Sequence, residues 1–228
     1  DESDGSFLRL PHQINIITNI DLEHLDYYKS KKNLISAFVK FINNLPFYGY
    51  SIMCIDNLNL KKLSKNIYNR NIISYSKNQD SDVKILTIIR SQNNTKFSLY
   101  FKKGCIENIS GKFNFTTTLL GDHNVLNSTA AIIAALIANV PIKNIQDSLS
   151  SFQGVKRRFS FLGKIDKASI YDDYAHHPSE IKASYEIAKQ ISKKNIIIIF
   201  QPHRFTRTSI LLNDFIKILK KIKILYVL

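Results

Sequence analysis

Apolar runs of strand length alternate with windows whose apolar residues recur at helical spacing. The alternation is plainest near the C-terminus. There NIIIIF (195–200) leads into the polar segment QPHRFTRT (201–208), then a helical window with Ile210, Leu211, Phe215, Ile218, Leu219 and Ile222 on one side, then KILYVL (223–228). A strand, a helix and a second strand in that order imply parallel pairing, because the helix carries the chain back to the edge where the first strand began. The pattern restricts the fold to an α/β class, a parallel sheet with helices outside it.

The same texture runs upstream. INIITNI (14–20) reads as a strand, and Leu34, Ile35, Phe38, Val39 and Ile42 lie on one face of a helix over Asn33–Asn43. SIMCI (51–55) reads as a buried strand and NLKKLSKNI (59–67) as a short helix. VKILTIIR and KFSLYF flank Ser91–Thr95, which predicts an antiparallel hairpin. In GDHNVLNSTAAIIAALIANVP, Asn127 or Ser128 is expected to cap a helix that stops before Pro141. FQGVKRRFSFLG is basic and holds two glycines, so a domain boundary is expected near Gly154, giving domains 1–154 and 155–228. Beyond it come a strand at Ser169–Tyr171, a helix over Ser179–Ser192 behind Pro178, NIIIIF as the most deeply buried strand, and a helix over Ser209–Lys221. DESDGS at one end carries no initiating Met, and KILYVL at the other is a strand with no connection after it. Both predict an internal piece of a longer polypeptide.

Composition narrows the function classes. With 44% hydrophobic and 22% charged residues, seven Gly and five Pro, the chain is neither disordered nor collagen-like. Cys54 and Cys105 have no CxxC spacing, which argues against a disulfide framework or zinc site and suits the cytosol. No apolar run reaches the roughly 18 residues of a membrane span. The net charge of +14 raises the alternative of a basic α/β module that binds nucleic acid without chemistry, but the lysines are scattered rather than clustered. No nucleic-acid or membrane partner is therefore expected.

In open α/β sheets ligands gather beyond the carboxyl ends of strands. Five polar clusters fall there or beside helix starts: DESD (1–4), TNIDLEHLD (18–26), GDHNVLN (121–127), YDDYAHHP (171–178) and QPHRFTRT (201–208). Glu2 and His24, with Asp21 and Glu23 nearby, are either magnesium ligands or exposed loop charges; the ion uses few protein ligands and completes its shell with water and phosphate oxygens. His123, Asn124 and Asn127 open a helix and either cap it or pair with a purine edge. Arg157 and Arg158 sit in a glycine-flanked turn and either reach a phosphate or face solvent. Arg204 and Arg207, at i and i+3 beside His203, form a fork suited to a carboxylate or phosphate. There is no G-x-S-x-G elbow, and neither Gly111-Lys112 nor Gly163-Lys164 completes a phosphate-cradling P-loop.

Taken together, DESDGSFL, TNIDLEHLDYY, GDHNVLNSTAA, FQGVKRRF, DDYAHHPSEI and FQPHRFTRT resemble the Mur ligase family, in the family's order and over nearly the whole chain. DDYAHHP with QPHRFTRT resembles most the branch that joins L-alanine to UDP-N-acetylmuramate in peptidoglycan synthesis. The murein-peptide ligases, which act on the same nucleotide sugar, differ at the second loop and are the alternative within the family.

The resemblance implies part of a central ATPase domain, its P-loop missing, followed by the start of a Rossmann-like C-terminal domain. It also implies ATP and Mg2+, and UDP-N-acetylmuramate and L-alanine as substrates. Glu2 and His24 would be metal ligands, and His123, Asn124, Asn127, Arg157, Arg158 and Asp173 would bind ATP. Tyr174, His176, His203, Arg204 and Arg207 would bind the amino acid, with His176 and the two arginines taking part in catalysis. With the UDP-sugar domain and P-loop absent, these 228 residues alone are expected to be inactive.

Overall fold

The computed structural model describes residues 2–21, 23–192 and 194–228. Asp1 of DESD and Leu22 of TNIDLEHLD lie outside them.

The N-terminal lobe is built on one six-stranded sheet whose strands follow chain order. They are β1 (Ile14–Ile17), β2 (Tyr50–Cys54), β3 (Asn71–Ser76), β4 (Val83–Arg90), β5 (Thr95–Ile106) and β6 (Ile109–Thr117). Neighbours from β1 to β4 pair parallel, and β4, β5 and β6 pair antiparallel. The hairpin expected around residues 91–95 is thus the β4–β5 turn.

Helices α1 (Leu25–Tyr28) and α2 (Lys31–Asn43) connect β1 to β2, and α3 (Leu58–Ser64) connects β2 to β3. Their starts follow local chemistry. The Ser30 hydroxyl accepts the amide of Asn33, and the Asn57 side-chain Oδ1 accepts those of Asn59 and Leu60. Ile42, Ile52, Met53 and Leu60 are fully buried where these helices meet the sheet.

Helix α4 (Asp122–Ile137) packs on β2, β3 and β5 through Val125, Thr129, Ile132 and Ile133, small or β-branched residues that permit close approach. It starts five residues before the expected caps, so Asn127 and Ser128 are interior helical residues. Gly121 supplies the cap position with φ 91°, and the carboxylate of Asp122 in the first turn complements the helix dipole. A further helix, α5 (Ile142–Ser151), starts directly behind Pro141.

The C-terminal lobe begins with a two-stranded antiparallel ribbon, β7 (Ser160–Ile165) and β8 (Ala168–Asp172). Helix α6 (Pro178–Ile191) follows, then β9 (Ile197–Phe200), α7 (Phe205–Ile210), α8 (Leu212–Leu219) and β10 (Ile224–Val227). β9 and β10 pair parallel, as the strand–helix–strand pattern requires.

Two expectations are corrected here. The helix expected over Ser209–Lys221 is two helices that meet at Leu211, and the first takes Phe205–Thr208 out of the supposed loop. NIIIIF is buried on one side only: Phe200 joins Ile181, Phe215 and Ile218 in a second core, whereas Ile197 is 60% and Ile199 67% exposed. The helices cover a single face of the β9–β10 pair.

The lobes touch through α6. Ile187, 2% exposed, lies over Gly121 at the start of α4, where a Cβ would come within 2.9 Å of the Ile187 Cγ1. The Gln190 amide also donates to the Ser91 carbonyl at 3.4 Å. No helix among the described residues is long and apolar enough to cross a membrane.

Candidate active site between the two lobes

The loop after β1 is held from both sides. Asn59 Nδ2 donates to the Ile20 carbonyl at 2.7 Å, and the Tyr28 hydroxyl donates to the carbonyl of Glu2. His24, the residue before α1, has φ 56°, a left-handed conformation that β-carbon sterics disfavour. That backbone turns its imidazole inward to 12% exposure, with Nε2 3.8 Å from Glu2 Oε1 and 3.7 Å from Glu23 Oε2. Both expected metal ligands therefore face one hollow of about 120 Å3, closed on the far side by His177, Ser179 and Glu180 at the start of α6.

Among the described residues no group of three His, Cys, Asp or Glu side chains is arranged to hold a metal ion. A carboxylate and an imidazole on one hollow nevertheless fit magnesium, which completes its octahedron with water and phosphate oxygens.

A second hollow of about 30 Å3 sets Arg204, Thr206 and Arg207 of the C-terminal lobe against Glu23, His24 and Asp26 of the N-terminal one. Arg204 precedes α7 with φ 67°, and Arg207 lies within that helix. Arg207 is only 11% exposed; its Nε is 3.2 Å from Glu23 Oε1, and its Nη1 donates to the His203 carbonyl at 3.4 Å. Both arginines line this hollow, Arg204 from the position before α7 and Arg207 from within the helix.

The crowded turn at 171–180 has two tasks. One is to start α6. Glu180 Oε2 accepts the amides of His176 at 2.9 Å and His177 at 3.1 Å, and His177 Nδ1 accepts that of Ser179 at 3.3 Å, a reciprocal cap. Burial pushes the Glu180 carboxyl up, but the amides of His176 and His177 with the charges of His176 and Arg158 outweigh it, and the group titrates below the usual carboxylate range. Since His177 Nδ1 is an acceptor, its proton sits on Nε2, which is buried without a partner at the larger hollow.

The second task is to display side chains. His176 Nδ1 lies 2.8 Å from the Tyr174 carbonyl, which can only accept, so Nδ1 carries a proton and Nε2 is the nitrogen left to take up or release one. The His203 ring stands 6.3 Å from that of His176 and 6.5 Å from that of Tyr174. Arg157, at φ 60°, lies over the Tyr174 ring at 4.8 Å and pairs with Asp172 at 3.3 Å. Arg158 reaches Glu180 at 3.3 Å, and Asp173 accepts the Ser184 hydroxyl.

His123 stands at the rim of the same interface. Crowding removes water from the imidazole and holds its pKa below the usual value, helped by Arg158 and opposed by the carboxylates of Asp173, Asp122 and Glu180. His123, Arg158 and Asp173 are thus close enough to sense one another. Asn124 donates its side-chain amide to the Leu120 carbonyl at 2.8 Å, in the segment before α4, and α4 has no side-chain cap. Asn127 lies one turn beyond His123, exposed, and borders neither hollow. In the sequence Glu23 is marked only as an acidic neighbour of Glu2 and His24, and His177 only as a member of YDDYAHHP, and neither is given a role. Adjacency to His24 and to the proline that starts α6 was their only signal.

Comparison with known proteins follows the same division of the chain. The Mur ligase middle domain profile matches residues 2–135, and that of the Mur ligase, glutamate ligase domain matches 157–228. The chain is 43% identical over 233 residues to the UDP-N-acetylmuramate--L-alanine ligase of Rickettsia bellii, and 41% identical over 229 to that of a Hydrogenobaculum species. Each alignment covers 100% of this chain but 48% and 49% of those proteins, so the chain spans about half the length of the relatives it matches. Among solved structures, UDP-N-acetylmuramate-alanine ligase from Thermotoga maritima superposes with a TM-score of 0.76 at 23% identity, over 100% of this chain and 54% of that one. MurF ligase from the same organism, in complex with ADP, gives 0.77 at 15% identity over 95% and 48%. The structural likenesses speak to the fold, and the profile match to ancestry: the chain belongs to the Mur ligase family.

Proposed function

We propose that this chain carries the amino-acid-binding part and much of the ATP-binding part of a cytoplasmic UDP-N-acetylmuramate:L-alanine ligase. Residues 1–154 would belong to the middle domain and 155–228 to the C-terminal domain. The observation that carries this reading is the meeting of Arg204 and Arg207 from one lobe with Glu2, Glu23 and His24 from the other at two hollows that share Glu23 and His24. The 41–43% identity to alanine ligases over the whole chain supports the choice of substrates.

The chemistry follows from the donors present. In the first step an oxygen of the muramoyl carboxylate displaces ADP from the γ-phosphorus of ATP and forms an acyl phosphate. In the second the L-alanine amine attacks the acyl carbon, phosphate leaves, and the nitrogen gives up a proton. Both steps place negative charge on oxygen, so fixed cationic groups stabilise them most.

Arg158 and Arg157 would turn from Glu180 and Asp172 to the phosphates, Asp173 would accept the ribose hydroxyls, and His123, Asn124 and Asn127 would meet the adenine. Glu2 and His24, the latter through a neutral ring nitrogen, would hold Mg2+. Bound there, the ion would neutralise charge on the phosphoryl oxygens. Arg204 and Arg207 would take the alanine carboxylate beside Tyr174 and His203. His176 would accept the amine proton at Nε2.

The test uses the full-length protein. ADP release should require both UDP-N-acetylmuramate and L-alanine, and Arg204→Ala should raise the KM for L-alanine or lower kcat by about a hundredfold. Turnover indifferent to L-alanine, or a preference for a tripeptide, would refute the assignment.

A further inference from the structure

We infer that Glu23 is a positioning residue that holds Arg207 from the opposite lobe and thereby sets the affinity for the amino acid; this rests on the ligase reading above. Among the described residues Glu23 is the one carboxylate that lines both candidate subsites. Its Oε1 faces Arg207 Nε at 3.2 Å, and its Oε2 faces His24 Nε2 at 3.7 Å.

A guanidinium that is 11% exposed needs a counter-charge. Among the described residues of its own lobe Arg207 finds only the His203 carbonyl at 3.4 Å, a weak contact, so Glu23 supplies the charge. Glu23 Oε1 is buried and outside hydrogen-bonding alignment, so the contact is electrostatic and places the side chain without using up its directed N–H groups. Contact is through Nε, and Nη2 remains for an incoming carboxylate. The pair also crosses from the loop after β1 to α7, so it fixes how far apart the two halves of the site stand. Glu23 touches the amino acid through Arg207 alone.

Glu23→Gln, Arg207→Gln and the double variant of the full-length protein test this by two measurements. Glu23→Gln should raise the KM for L-alanine about tenfold while changing kcat less than about threefold. The Mg2+ and ATP requirements should stay as in the parent. The double variant should be no worse than Arg207→Gln alone, and the shifts in thermal unfolding midpoint should likewise be non-additive. An unchanged KM for L-alanine in Glu23→Gln, effects that multiply in the double variant, or a defect that appears in the Mg2+ requirement would each overturn the inference. Loss of the ligase reading would look different: the parent itself would show no turnover dependent on L-alanine, while additive midpoints alone would still sink the pairing.

Discussion

Ile187 of α6 packs against the bare Cα of Gly121, and this contact joins the C-terminal lobe to the first turn of α4. A Cβ there would lie 2.9 Å from both the Ile187 Cγ1 and the His123 Cε1, and Gly121 has φ 91° with ψ 147°, a region that side chains disfavour. Gly121→Ala should therefore lose about 1–3 kcal/mol from backbone strain, besides displacing α6. Ile187→Ala should lose about 2–5 kcal/mol by opening a cavity between the lobes. Denaturant unfolding of both variants checks this; a neutral Gly121→Ala would mean that the lobes are not docked there.

Asp122 is pinned from the bend after β3 and from the end of β4. Lys77 Nζ bonds its Oδ2 at 2.6 Å, and the Arg90 guanidinium bonds its Oδ1. Burial opposes ionisation, but these two cations outweigh it and hold the carboxyl below its usual range. The side chain is 38% exposed, so screening keeps the benefit small. Asp122→Asn should cost about 1 kcal/mol at neutral pH, less at high salt. Because the folded-state pKa is depressed, the contribution is complete above the unfolded pKa and disappears as pH falls through the folded one. The variant and parent should therefore converge below about pH 4. Unfolding midpoints against pH give the answer.

Glu180 separates capping from charge. Its carboxylate both accepts two amides at the start of α6 and balances Arg158 and His176. Glu180→Gln keeps an acceptor oxygen and removes the charge, whereas Glu180→Ala removes both. Glu180→Ala should cost about 1–2 kcal/mol and Glu180→Gln roughly half of that. The depressed pKa makes the charged part of the effect vanish as pH falls through the acid range below about pH 4. If Glu180→Gln matches the parent at neutral pH, the charge contributes nothing.

How much of this was legible in the sequence depended on which interactions act locally. Strands β2 and β9 and helix α2 were readable because apolar spacing and a nearby cap specify them within a few residues. β3 and β6 were not anticipated: NIISYS and ISGKFNFTT mix polar residues into the run, and burial comes from neighbours far along the chain. The start of α4 was misplaced because Gly121 and the Asp122 ion pairs outrank Asn127 as a stop-and-start signal. In the site, Glu2 with His24 and Arg204 with Arg207 could be paired from spacing and family likeness. The Glu23–Arg207 contact spans 184 residues of chain, and only the folded arrangement reveals it.

His123 and Asp173 come from different lobes, and their electrostatic coupling gives a direct measure of how the residues proposed to contact ATP are assembled. Although His123 keeps an exposed surface, desolvation by neighbouring atoms, with a smaller push from Arg158, holds its imidazole below the ordinary value, and Asp173 raises it against them. In the parent, His123 should titrate below about pH 6.5. Asp173→Asn should lower it further, whereas Arg158→Ala should move it up. The sign for stability follows: with a depressed folded pKa, the neutral imidazole is favoured above the unfolded value and the advantage is lost as pH falls through the folded one. His123→Asn should therefore flatten the stability profile below about pH 6.5. Two-dimensional NMR of the His123 ring across that range reads the shifts site by site. An upward move in Asp173→Asn would show that the two side chains do not share one environment.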